Sequence, residues 1–162
     1  KQILGCGVQQ MPCFGKVEYM RIGADMALSW KHKFFRNLTH REDVSTPNAI
    51  HNSVYRRCLN GRAFLCDPDV FLLRRSNIHF TFEQQKVLAK FIKLFGSVLF
   101  MSDNVDEYDD EQLAVFNDTL ADDDAKVVAI NETNDKLFID YIQNGEPHTL
   151  GFCVTDGSIY SY

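Results

Sequence analysis

Apolar residues fall in short runs separated by polar and turn-forming stretches, and the period of those runs changes along the chain. Ile3-Leu4-Gly5-Cys6 is a short apolar run ending near glycine, as a buried strand does. Val17 to Ile22 alternates loosely and predicts a second strand closed by Gly23. Ala49 to Leu59 predicts a helix, with Pro47 near its first turn. Ala63-Phe64-Leu65-Cys66 predicts another buried strand, stopped by Asp67-Pro68. The clearest helix starts at Thr81, with Gln84 at capping-box spacing, and places Val87, Leu88, Phe91, Ile92 and Phe95 on one face before Gly96. Ser97 to Met101 predicts a strand closed by Ser102-Asp103. Asp109, Asp110 and Glu111 then stand where negative charge favours the start of a helix that runs on through Leu113 to Phe116.

The character changes after about Asp118. Lys126 to Ile130, Leu137 to Ile142, His148 to Thr155 and Ser158 to Tyr162 read as strands, with turn-formers at Asn131 to Asp135 and at Asn144-Gly145. Residues 1–117 therefore alternate strand and helix, which implies a parallel sheet with crossovers, and 118–162 reads as a short antiparallel β tail. Strand–helix units packed this densely match half of a (β/α)8 TIM barrel, whose full length is roughly 250 residues. A small doubly wound sheet would show the same pattern.

Composition narrows the field. The chain has 162 residues, 45% hydrophobic and 24% charged, with a net charge of -5, which gives no electrostatic reason to expect nucleic acid. No apolar run approaches a membrane span, and the opening Lys1-Gln2-Ile3-Leu4 has neither a signal peptide nor an initiator Met. The expectation is a piece of a longer cytoplasmic protein. The five cysteines include no CxxC pair, so free thiols in a reducing compartment are expected and zinc is not. His32, His40, His51, His79 and His148 show no ligand spacing, and Asp122-Asp123-Asp124 lacks the pattern of a calcium loop. No metal or cofactor is expected.

The strand ends carry the chemistry. They read Leu4-Gly5-Cys6-Gly7, then Met20-Arg21-Ile22-Gly23-Ala24-Asp25 with Trp30 beyond, then Cys66-Asp67-Pro68-Asp69, then Leu99-Phe100-Met101-Ser102-Asp103. Carboxylates, a cation and a flat ring at strand ends are the inventory of a sugar site. These motifs, together with Met11-Pro12 and Leu72-Leu73-Arg74, resemble in order and spacing the family 36 glycoside hydrolases, the α-galactosidases or melibiases, in their bacterial form. The resemblance covers nearly all of residues 3–117.

The resemblance implies a retaining mechanism on terminal α-galactosides. One carboxylate attacks the anomeric carbon, and a second protonates the leaving oxygen and then activates water. By resemblance Asp25 is the acid/base. Arg21 contacts the carboxylates and the sugar hydroxyls, Cys6 borders the galactose, and Asp67 and Asp69 hold the site together from behind. Trp30 packs beside the acid/base loop or lines the leaving-group subsite. The family's nucleophile, in a Lys-x-Asp motif, is expected before Lys1, so this chain alone is expected to be inactive. Departures lie on the leaving-group side: Ala24 stands where Pro is common, Ala27-Leu28 where Ala-Pro is common, and Gln9 and Gln10 replace more usual residues. They bear on specificity, and an α-N-acetylgalactosaminide is an alternative substrate whose clues would lie between Gly7 and Phe14.

Plainer readings exist for each residue. Arg21 and Asp25 have the spacing of a structural ion pair, Asp67-Pro68-Asp69 that of a turn, and Trp30 is a natural core residue. The alternative function is a non-catalytic carbohydrate-binding or degenerate half-barrel module. A half barrel would leave open strand edges, which recruit either the missing N-terminal half or a second copy as a homo-oligomer. Neither nucleic acid nor membrane is expected as a partner.

Overall fold

The computed structural model describes residues 1–30 and 44–162. Two of the histidines set aside above, His32 and His40, lie outside these residues. Among the described residues the first part carries five short strands: β1 (Leu4–Gly5), β2 (Tyr19–Arg21), β3 (Leu65–Asp67), β4 (Val70–Phe71) and β5 (Phe100–Met101). Its helices are α1 (Thr46–Arg56), α2 (Phe82–Phe95) and α3 (Asp110–Leu120). The tail is β6 (Lys126–Thr133), β7 (Lys136–Gln143), β8 (Glu146–Cys153) and β9 (Ile159–Ser161).

Among the described residues every strand pairing in the first part is parallel, as the strand–helix alternation requires: β1 with β2, β2 with β3, and β4 with β5. The spatial order follows the chain order. The result is two short sheets of three and two strands, where the sequence predicted one run of four strands in half a barrel. The chain breaks the sheet at Pro68, which has no N–H to give a ladder, and at Asp69, whose φ of 93° turns the backbone out of strand geometry. The chain then resumes as β4, a two-residue strand that the pattern did not reveal.

Helix boundaries follow local chemistry. Ser45 caps α1, which starts three residues before the predicted Ala49 and ends in a 3₁₀ turn at Arg57–Leu59. In α2 the capping box is complete: Gln84 N–H donates to Thr81 Oγ1 at 3.2 Å and Thr81 N–H donates to Gln84 Oε1 at 3.0 Å. A second box, unnoticed in the sequence, joins Asp109 and Gln112 at the start of α3. The predicted apolar face of α2 is buried in full, each side chain contributing about 1.5–3 kcal/mol.

The tail is an antiparallel meander in the order β6-β7-β8-β9. Asn134-Asp135 and Asn144-Gly145 form the two-residue turns with positive φ at both positions, the geometry that matches strand twist. Leu137, Ile139, Tyr141, Leu150, Phe152 and Val154 face inward and share one core with α1, α2, Phe71 and Leu73. The α/β part ends with α3 at Leu120 and the meander begins at Lys126, and the two share one continuous core. A polar group seals the junction: Lys90 donates to Asp118 at 2.7 Å and to Gln143 at 2.9 Å, and Lys93 pairs with Asp123 at 2.6 Å. At the other end, Ile3, Leu4, Val8, Met11 and Phe14 around β1 are exposed.

Candidate active site

The parallel register builds the site. Gly5 pairs with Met20, Met20 with Cys66, and Arg21 with Asp67. Side chains in register on adjacent strands share a face, so Arg21 and Asp67 lie side by side, while Met20 and Cys66 go to a small cluster with Ile22 and Phe64. Cys6 continues β1 just beyond the Gly5–Met20 pair, and its exposed thiol is near enough to interact electrostatically with Arg21.

Arg21 is clamped by two buried carboxylates. Its Nε donates to Asp67 Oδ2 at 2.8 Å and its Nη1 lies 2.8 Å from Asp69 Oδ1. The same Nη1 reaches Asp25 Oδ1 at 3.2 Å. Exposure separates the three acids: the side chains of Asp67 and Asp69 are 0% and 6% exposed, and that of Asp25 is 68% exposed. Burial works against the charge on Arg21, but the bonded Asp67 and the nearby Asp69 more than offset it and hold the guanidinium pKa above its ordinary value.

The buried acids have little capacity left for chemistry. Asp67 Oδ1 accepts from Asp69 N–H at 2.9 Å. Asp69 accepts from Val70 N–H at 2.7 Å and from Met26 N–H. Burial pushes the Asp69 pKa up, against the lowering pull of Met26 N–H and Arg21, and Asp25 nearby adds to the rise. The Asp-Pro-Asp segment is therefore a turn and a clamp together, as the two readings of it overlap.

Supports around the cluster include residues that the sequence did not single out. The Ile22 carbonyl, at the end of β2, accepts from Gln10 Nε2 at 3.2 Å and from Arg56 Nη1. Asp103, predicted as a strand-end carboxylate, braces the chain after β4: its Oδ2 accepts from Leu73 N–H at 2.5 Å, Arg74 N–H at 2.8 Å and Tyr108 O–H at 2.7 Å. Burial, and then this bond, push the Tyr108 pKa up. A hollow of about 320 Å³ lies nearby, lined by residues including Arg74, Arg75, Tyr108 and Gln112. None of the predicted site residues lines it; the Arg21 cluster sits apart, at the ends of β2 and β3.

Trp30 takes the first of its two expected places, packed beside the Asp25 loop, and not the leaving-group subsite. Its side chain is in the core, 2% exposed, edge-to-face on Phe80 and Phe152, with Nε1 donating to the Val154 carbonyl at 2.8 Å. It packs beside the segment that carries Asp25 and leaves almost none of its ring surface exposed. The reason is tertiary: the β tail folds over it. Among the described residues no group of His, Cys, Asp and Glu is arranged to hold a metal ion, and no helix is long and apolar enough to cross a membrane.

No family model matches the chain. Among solved structures it is similar to an alpha-galactosidase from Thermus thermophilus, determined in complex with p-nitrophenyl alpha-D-galactopyranoside. The TM-score is 0.65 at 20% identity, over 90% of this chain and 29% of that one. The chain thus spans under a third of the length of the structure it matches. At this identity the likeness is one of fold, and it agrees with the family resemblance read from the sequence motifs.

Proposed function

We propose that this chain is the acid/base-bearing part of a retaining glycoside hydrolase acting on terminal α-galactosides, built as the second half of a (β/α)8 barrel. The observation that carries the proposal is the graded cluster: two buried carboxylates clamp Arg21, and a third, Asp25, stands open to solvent on the same guanidinium. Three features support the half barrel: sequential parallel strand order, an exposed apolar rim on β1, and the fold likeness to an alpha-galactosidase.

In this reading Asp25 donates its proton to the glycosidic oxygen as the bond to the anomeric carbon breaks. It then takes a proton from the water that hydrolyses the glycosyl-enzyme. Asp67 and Asp69 are buried and held by backbone N–H groups and Arg21, so this reading gives them a positioning role and not the nucleophile's. The nucleophile is proposed to come from chain outside these residues, with the two carboxyls about 5–5.5 Å apart. In the same reading Arg21 contacts sugar hydroxyls as well as the carboxylates, and Cys6 borders the sugar. A reducing cytoplasm is the proposed location, consistent with five free cysteines.

The test is Asp25→Ala in the complete open reading frame that contains this segment. Turnover of melibiose is expected to fall by about 10²–10⁴-fold. Transfer from p-nitrophenyl α-galactoside, whose leaving group needs little protonation, should fall much less. Equal losses on the two substrates would remove Asp25 from the acid/base role. Saturable galactoside binding without turnover in the unsubstituted protein would favour the non-catalytic binding module.

A further inference from the structure

The loop from Asp25 to Trp30 is tied at almost every residue. The Asp25 carbonyl accepts from Ser45 N–H at 3.0 Å, and Met26 N–H donates to Asp69. The Leu28 carbonyl accepts from His79 N–H at 2.7 Å, and the Ser29 carbonyl from Thr46 Oγ1 at 3.0 Å. Four of these ties come from the parallel α/β part. The last comes from the tail: Trp30 Nε1 donates to the carbonyl of Val154, 124 residues away.

The turn between β8 and β9 is shaped to hold that indole. Gly157 has a φ of +73°, and a Cβ added there would lie 2.5 Å from Trp30 Cδ2 and 2.8 Å from Cγ. The ring fits only because residue 157 has no side chain. Gln84, on the capping box of α2, donates to the Asp156 carbonyl at 3.4 Å, and its Nε2 would lie 2.5 Å from the same added Cβ, so it borders Gly157 beside the indole. Trp30 is therefore seated between Phe80, Phe152 and a glycine backbone. Such a seat sets ring position closely, since packed interiors yield little without loss of contact.

We propose that the Val154–Gly157 turn of the β tail is a positioning element for the Asp25 loop, acting through Trp30. The tail then does more than cover the core. It fixes the far end of the segment whose near end carries the solvent-open carboxylate. Only the meaning given to Asp25 rests on the proposed function; the coupling itself is geometric.

Hydrogen exchange on the full chain tests it. In Gly157→Ala, the amides of Met26 and Ser45, which close the loop at its Asp25 end, are expected to exchange at least about tenfold faster, while those of Leu137 and Ile139 in β7 change less than about threefold. Trp30→Phe keeps an aromatic ring and removes the indole N–H, and should give the same ordering with a smaller effect. It also keeps the test open if the glycine variant does not fold. A merely structural role would move all protected amides together. Uniform acceleration in both variants, or unchanged Met26 and Ser45 amides, would overturn the proposal. This readout does not involve sugar chemistry. If Asp25→Ala left turnover intact, the functional reading would fall while the loop coupling stood.

Discussion

Asp67→Ala removes the residue on which the cluster depends most. Its side chain is fully buried and serves two donors, Arg21 Nε at 2.8 Å and Asp69 N–H at 2.9 Å. Each buried donor left without an acceptor costs about 1–3 kcal/mol. Removing one partner of a buried ion pair costs roughly 3–5 kcal/mol. Arg21 keeps its contacts with Asp69 and Asp25, which offsets part of that penalty. The net expectation is about 3–4 kcal/mol. Asp67→Asn retains one acceptor oxygen and should cost about 1–2 kcal/mol. Asp25→Ala touches the same guanidinium through a carboxylate that is 68% exposed, and should cost under about 1 kcal/mol. Urea unfolding followed by fluorescence measures all three, because Trp30 is the chain's single tryptophan and is buried. With a slope of about 2 kcal/mol per molar urea, Asp67→Ala should lower the midpoint by about 1.5–2 M at unchanged slope. If Asp67→Ala and Asp25→Ala cost the same, the division into buried clamp and open acid is wrong.

Acid sensitivity should arise at the junction between α2 and the tail. Burial raises the Asp123 pKa, but its bonds to Lys93 and Gln143 outweigh this and hold it below the ordinary carboxylate value. A depressed folded pKa contributes stability that is present above the unfolded value, about 3.9, and lost as pH falls through the lower folded value. Asp123→Asn should therefore cost about 3 kcal/mol at pH 7 and progressively less below about pH 4, read from denaturant midpoints across pH. An equal cost at every pH would exclude the ionised pair. Thiol labelling offers a separate check. Burial pushes the Cys66 thiol up to about 11, while Cys6 and Cys58 are exposed. Ellman's reagent at pH 8 should modify Cys6 and Cys58 rapidly and Cys66 only on unfolding. Rapid modification of Cys66 in the native chain would contradict its burial on β3 against Met20, Ile22 and Phe64.

Much of this protein was determined by local sequence. The Thr81/Gln84 box, the α2 face from Val87 to Phe95, the Asn144-Gly145 turn and the Asn134-Asp135 turn, which occupies only the end of the expected Asn131 to Asp135 stretch, rest on interactions within a few residues. Their periods and caps are therefore readable from the chain alone. The motif residues Cys6, Arg21, Asp25, Asp67 and Asp69 were legible as candidates for the same reason: each sits at or just past the end of an apolar run. Roles within the site were not legible. Whether a carboxylate clamps or reacts depends on burial, and burial depends on a register that joins Arg21 to Asp67 across 46 residues. The strand after Asp69 was missed because two residues have no period. Trp30 read equally well as subsite or core, since an indole suits either. A hairpin more than a hundred residues later decides between them by accepting its N–H and leaving space for its ring at Gly157. Local periodicity sets the elements, and only long-range packing decides which polar groups lose water and which remain free to meet a substrate.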